Sequence, residues 1–200
     1  MPKSVASRWA GVSPDDRRAE RRALLLDAAF ELLGTEGWQG TTVRAVCQTA
    51  QLNPRYFYES FADLDALAVA LYDRLGDELR VAVEKAVASA EATATARVRA
   101  TVESTVRFVD EDRRRGRILY HEALGNEALN RRRVEAGYAL AELIAGGAKE
   151  RRVAASFVVG GFSEVLMAWL DGRITVSRKR LIDHTTDLFL AIGRKSSTWR

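Results

Sequence analysis

The sequence predicts an all-α fold of about nine helices. Apolar residues recur three and four apart over most of the 200 residues, the spacing that gathers one stripe along a helix. Nowhere do β-branched residues alternate with polar ones for five or six positions, so no strand is expected. Breaks between the periodic runs coincide with glycines, and several runs open on Thr, Asn or Asp.

Taken in order, residues 1–13 lack periodicity and read as an N-terminal arm. From Asp15 a helical pattern begins. Leu25, Ala28, Ala29, Leu32 and Leu33 form its stripe, and Gly34 and Gly37 mark its end. Thr41 or Thr42 caps a short helix reaching Ala50, because a Thr hydroxyl accepts an orphan N–H of the first turn. Asn53-Pro54 opens another, with Asn as cap and Pro where no N–H is needed. Asp63 caps a long helix from Leu64 to roughly Ala88. Further helical segments cover about 94–112, 115–124, 128–145, 149–170 and 177–192. Breaks are expected at Gly116, Gly125-Asn126, Gly146-Gly147 and Asp171-Gly172. The tail 194–200 reads as frayed.

Composition narrows the function classes. The formal charge is +4 and the isoelectric point about 9.4. Residues 1–60 hold eight Lys/Arg against seven Asp/Glu, a balance of +1, so charge alone does not point to a polyanion. The single cysteine, Cys47, excludes an internal disulfide and a cysteine-based metal site, and its apolar surroundings suggest a small core residue. The longest apolar segments are cut by Glu, Arg or Lys, so no membrane span and a cytoplasmic location are expected. His121 and His184 stand far apart without a second ligand nearby, and no nucleophile elbow, phosphate loop or supported carboxylate pair occurs. No catalytic residue, metal site or cofactor is expected.

The informative stretch is 41–61, TTVRAVCQTAQLNPRYFYESF. Two short helices joined by a turn of about three residues have helix-turn-helix proportions. Val43, Val46, Cys47 and Ala50 face inward from the first, Leu52 plugs the turn, and Phe57 and Phe61 form the inner face of the second. Arg55, Tyr56 and Glu59 then point outward, with Tyr58 beside the core face. Arg suits guanine in a major groove, and Tyr suits a phosphate or a thymine methyl. The helix N-termini behind Thr42 and Asn53 present free N–H groups to phosphate oxygens. A plain helical hairpin fits the same spacing.

From Leu25 to Leu71 the chain resembles the DNA-binding domain of the TetR family of bacterial repressors. Leu25, Ala28-Ala29, Leu33, Gly37, Thr41-Thr42-Val43, Val46, Ala50, Leu52, Phe57-Tyr58, Phe61 and Leu67 carry the resemblance. It implies an arm (1–13), a three-helix DNA-binding domain (14–62), an effector-binding and dimerisation body (63–193) and a tail (194–200). Thr42 would cap its helix and touch a phosphate, Arg44 would lie near the groove edge, Arg55 and Tyr56 would read bases, and Tyr58 would hold a phosphate. The chain departs from the family pattern in three places. Gln51 stands where the turn usually has Gly, Leu64 where a phosphate-binding Lys is common, and Asp63 and Asp65 flank that position. Arg17, Arg18, Arg21 and Arg22 could replace the lost charge, or form a solvated face.

The resemblance further implies a homodimer on double-stranded operator DNA, joined through the last two long helices. Segment 149–170 is apolar around most of its circumference, and Val158, Gly161, Val165 and Leu166 are the candidate interface residues. The Gly160-Gly161 pair suggests close approach of another helix, or a kink. A small-molecule effector, apolar or aromatic, would bind among Phe108, Tyr120, His121, Tyr138, Phe162 and Trp169. The competing expectation is a helical dimer of this fold that acts through protein contacts without DNA.

Overall fold

The computed structural model describes residues 13–196, with side chains as far as Arg194; the expected arm (1–12) and the last tail residues (197–200) lie outside the described residues. Among the described residues all regular structure is helical. The chain forms two compact units, one up to Leu71 and one from Tyr72.

In the first unit, α1 (Pro14–Thr35) starts on Ser13, whose Oγ accepts the Asp16 N–H at 3.1 Å, with Pro14 at the first helical position. Ser13 therefore belongs to the helix start and not to an arm. The helix continues through the buried Gly34, contrary to the sequence expectation. Only Gly37, at φ +75°, needs glycine's freedom, and it leads the single turn Gly37–Gly40. Then come α2 (Val43–Thr49), α3 (Pro54–Ser60) and the first turns of α4 (Leu64–Ala88). Leu25, Ala29, Leu33, Val46, Phe57, Leu67 and Leu71 close the core between them. Cys47 is buried, and desolvation raises its thiol pKa, so it behaves as a small apolar side chain.

The α2–α3 turn is held in a left-handed conformation at Gln51, φ +54°, the sole non-glycine with positive φ among the described residues. A Cβ there opposes the carbonyl, at a cost of roughly 1–2 kcal/mol. Gln51→Gly relieves that strain but loosens the unfolded chain. A net gain of about 0.5–1 kcal/mol is expected in urea unfolding. A loss of stability would show that the Gln side chain contributes more than its backbone costs.

The second unit contains the rest of α4, then α5 (Ala94–Glu111), α6 (113–125), α7 (Glu127–Ala145), α8 (Lys149–Leu170) and α9 (Arg178–Ser196). Helix α5 packs on α9, α7 on α8, and α8 on α9. Thr93 and Asn126 cap α5 and α7, and Gly146 ends α7 at φ +59°.

Helix α6 departs from expectation. The chain breaks at Asp112, not at Gly116, and a turn at Arg113–Gly116 runs directly into a π-helical stretch, Arg117–Glu122, ending in Ala123–Gly125. The i→i+5 pattern brings residues five apart onto one side, which lets Arg117 and Glu122 pair at 2.8 Å. Gly116 is explained by packing: a Cβ on it would overlap Leu170 Cδ1 of α8.

The expectation that no segment approaches a membrane span needs correction. Between Val153 and Leu170 only Glu164 is charged. Helix α8 is long and apolar enough to cross a membrane by length and composition, with mean hydropathy 1.7 over 18 residues. Its inner side packs Ala155 and Val159 against Ala141 and Ala145 of α7, and Phe162 edge-on to Phe189 of α9 at 5.4 Å. Its remaining face is open.

Candidate nucleic-acid interface and body

The outer surface of the first unit is built by two capped helix starts. Thr42, not Thr41, caps α2: its Oγ1 accepts the Ala45 N–H at 3.1 Å, while the buried Thr41 hydroxyl donates to the Gly37 carbonyl at 2.8 Å. Asn53 Oδ1 accepts the Arg55 N–H at 2.9 Å, opening α3 on Pro54. Phe57 is fully buried, which fixes the rotation of α3 and turns Arg55 and Tyr58 outward. Tyr58 is 63% exposed, yet its ring stands edge-on to Phe57 at 5.3 Å, so its direction is set. Arg44 projects from the first turn of α2 and is exposed.

Arg55 keeps 81% of its side chain in solvent and pairs through Nε with Glu59 Oε1 at 2.8 Å, one turn on. Glu59 also receives Arg21 of α1 at 3.6 Å, and the Arg21 guanidinium lies 4.3 Å over the Tyr56 ring. Arg22 does the same over Phe61 and reaches the Ser60 carbonyl. Arg21 and Arg22 thus fasten α1 to α3 through its aromatic residues, a role the sequence left open between electrostatics and a solvated face. Tyr56 is half-buried beneath Arg21 and is less free to read a base than expected. Asp63 has a structural use: its Oδ1 accepts the Ala66 N–H at 2.7 Å at the start of α4.

The six expected effector residues differ in burial and in what they touch. Phe108 is buried on α5 with the Arg115 guanidinium 4.4 Å over its ring. Tyr120 lies in the π-helical stretch, and burial raises its hydroxyl pKa far above the ordinary 10. Its neighbour His121 is turned out, with Nε2 at 2.6 Å from Asp171 Oδ1. Phe162 meets Phe189, and the Trp169 indole donates to the Val176 carbonyl at 2.9 Å, tying down the α8–α9 loop. Tyr138 stands on the open face of α7, 66% exposed. Tyr138 and His121 are therefore surface residues of the protomer, and Trp169 is committed to a loop.

The expected dimer residues also divide. Gly161 is exposed and Val158 and Val165 half-buried, but Leu166 is fully buried inside its own protomer and is corrected to a core residue. The exposed apolar residues the sequence reading passed over are Leu140, Leu143 and Ile144 on α7, Val153 and Phe157 on α8, and Leu188 on α9. Val153, Phe157 and Gly161 recur four apart, the one signal that could have found them.

The His121–Asp171 pair carries a pH dependence. Hydrogen bonds from His121 and then Arg173 hold the Asp171 carboxyl below its ordinary 3.8. A depressed folded pKa contributes stability that is present above the unfolded value and lost as pH falls through the folded one. Asp171→Asn should therefore flatten the acid side of the stability curve below about pH 3.8 and leave it nearly parallel to the wild type near neutrality, read by thermal melts across pH. An unchanged acid limb would show that the pair does not form in solution.

The first unit thus holds a capped helix-turn-helix and the second a separate helical body. Residues 25–71 match the model of the bacterial regulatory proteins of the TetR family. An uncharacterised helix-turn-helix-type transcriptional regulator of Haemophilus influenzae is 38% identical over 72 residues. That alignment spans only 36% of this chain and 35% of the relative. Two solved structures share the fold over nearly their whole lengths. A putative transcriptional regulator from Pseudomonas aeruginosa PAO1 has a TM-score of 0.73 and 17% identity, covering 98% of this chain and 100% of its own. The transcriptional regulator FadR from Bacillus subtilis, solved in complex with stearoyl-CoA, has a TM-score of 0.66 and 16% identity, covering 84% and 96%.

Proposed function

We propose that this protein is a ligand-responsive transcriptional regulator of the TetR type, a cytoplasmic homodimer that binds an inverted-repeat operator through α3. The observation that carries the reading is the rotation of α3: Phe57 is buried to zero exposure while Arg55 and Tyr58 stand out from the same two turns. A helix so placed presents a guanidinium to base edges and a phenol to phosphate. Thr42 and Asn53 orient two helix starts toward the backbone, and Arg44 adds a cation beside them.

The open apolar face of α7 and α8 supports the dimer. Val153, Phe157, Leu140 and Leu143 are large apolar side chains left exposed on these two helices, as at a surface that meets a partner. A Cβ added at Gly160 or Gly161 would touch nothing within 4 Å, so the close approach these glycines permit is not used within the protomer. A second copy, related by a two-fold axis, would use it. The small-molecule effector is proposed by analogy with the relative that carries stearoyl-CoA, and acts by preferring one spacing of the two α3 helices.

The experiment is a binding titration on the DNA upstream of the protein's own coding region at two salt concentrations. Specific binding that weakens steeply with salt supports the reading, since phosphate contacts release counterions. A clean dimer with no salt-sensitive DNA binding would instead favour a scaffold acting through protein contacts.

A further inference from the structure

Helix α7 turns one row of residues, spaced by four, toward the interior: Leu129, Arg133, Gly137, Ala141 and Ala145. Leu129, Ala141 and Ala145 are buried. Arg133 is the charged member of an otherwise apolar row. Its Nε is buried and has no hydrogen-bond partner, and the bond its guanidinium makes goes to the neutral Asn130 Oδ1 at 3.1 Å. Its neighbour Arg132 differs, pairing with Asp73 of α4 at 2.6 Å. Among the described residues no carboxylate pairs with Arg133. A guanidinium is always charged and offers donors only, so a buried face of it without an acceptor is costly unless an anion completes it.

The surroundings suit such an anion. Tyr72 of α4 is buried near Arg133: burial raises its hydroxyl pKa, and the Arg133 and Arg132 charges partly offset that rise. Tyr120 is close enough to Tyr72 for the two phenols to influence one another. Next along the row, Gly137 leaves room: a Cβ there would find only Val159 Cγ1, at 3.9 Å. Arg133 therefore lies one turn from a step in the packing, on a row whose other members are apolar or glycine.

We propose that Arg133, with the Tyr72 hydroxyl, holds the anionic oxygen group of the effector, a carboxylate or a phosphate on an apolar body. The proposal rests on the sensing role above and narrows it: the effector is an amphipathic anion and not a neutral aromatic. Planar guanidinium donors match a carboxylate or phosphate edge, and the low polarity of the site strengthens the pairing.

The test uses the full-length protein and matched probes: octanoate, octyl phosphate and 1-octanol, with 2-naphthoate and 2-naphthol as an aromatic pair. Binding is measured by calorimetry for wild type, Arg133→Gln and Tyr72→Phe, each first shown to melt cooperatively. The wild type should prefer an anionic probe over its neutral partner by about tenfold or more, consistent with a charge-assisted bond. Arg133→Gln should erase that preference, and Tyr72→Phe should reduce it while leaving packing intact. The two octyl anions decide between carboxylate and phosphate. Equal or tighter binding of the neutral probes, a preference that survives Arg133→Gln, or failure of every anionic probe to bind overturns the proposal. The sensing role fails separately, when a probe that does bind leaves DNA affinity unchanged.

Discussion

Leu166→Arg should leave no folded body, whereas Phe157→Arg should give a folded monomer. The two residues lie on the same apolar helix, nine positions apart, and the sequence reading took Leu166 for the interface and passed over Phe157. Leu166 has no exposed surface, so an Arg there buries a charge without a partner and costs about 4 kcal/mol or more. Even Leu166→Ala should cost about 2–5 kcal/mol. Phe157 is 68% exposed in the protomer, so Arg at that position takes nothing from its core. It places like charges face to face across a two-fold axis instead. Circular dichroism melts should show Leu166→Arg unfolded and Phe157→Arg close to wild type. Light scattering in detergent-free buffer should then report half the wild-type mass for Phe157→Arg. A wild-type-sized dimer from Phe157→Arg would place the interface on another face. A wild type that stays dispersed only in detergent would point to a membrane as the cover of α8.

The second large effect is on DNA. Arg55→Ala should weaken operator binding by about 1–3 kcal/mol and relax preference at one position in each half-site, if its guanidinium engages guanine in bidentate fashion. The ion pair with Glu59 holds Arg55 along the helix until DNA competes for it. Arg55 stands mostly in solvent and Glu59 keeps its contact with Arg21, so losing the Arg55 pair should change melting little. Tyr58→Phe removes one hydroxyl and keeps the edge-on contact with Phe57, so it should weaken all sequences about equally. Titrations over a randomised operator library would separate these outcomes. Retained affinity and retained preference in Arg55→Ala would remove α3 as the reading element.

Features fixed by neighbours in sequence were legible in the sequence itself. The helical class, the caps at Asn53 and Asp63, the proline start of α3 and the inward face of Phe57 and Phe61 all follow from spacings of two to four residues, whereas the cap of α2 stayed open between Thr41 and Thr42. Those spacings act within one or two helical turns, where the backbone geometry is known in advance. The turn at Gln51 was marked by the family resemblance, which puts Gly there, and the structure shows the positive φ that accounts for it.

Features that depend on contacts distant in sequence were decided by the tertiary structure. Arg21 and Arg22 pack over Tyr56 and Phe61, more than thirty residues away, and no local pattern distinguishes that from a solvated face. Gly116 reads as a break, but Leu170, from the far end of α8, makes it a packing contact inside a continuous α6. The apolar circumference of α8 announces burial on several sides without saying which side faces its own protomer. Leu166 and Phe157 differ only because packing within the protomer covers one and leaves the other open. Arg133 carries the same lesson: its row on α7 is written in the sequence, but whether a carboxylate would meet it there depended on how α4, α6 and α7 came together. Periodicity specifies a direction from the helix axis, and only packing specifies what lies in that direction.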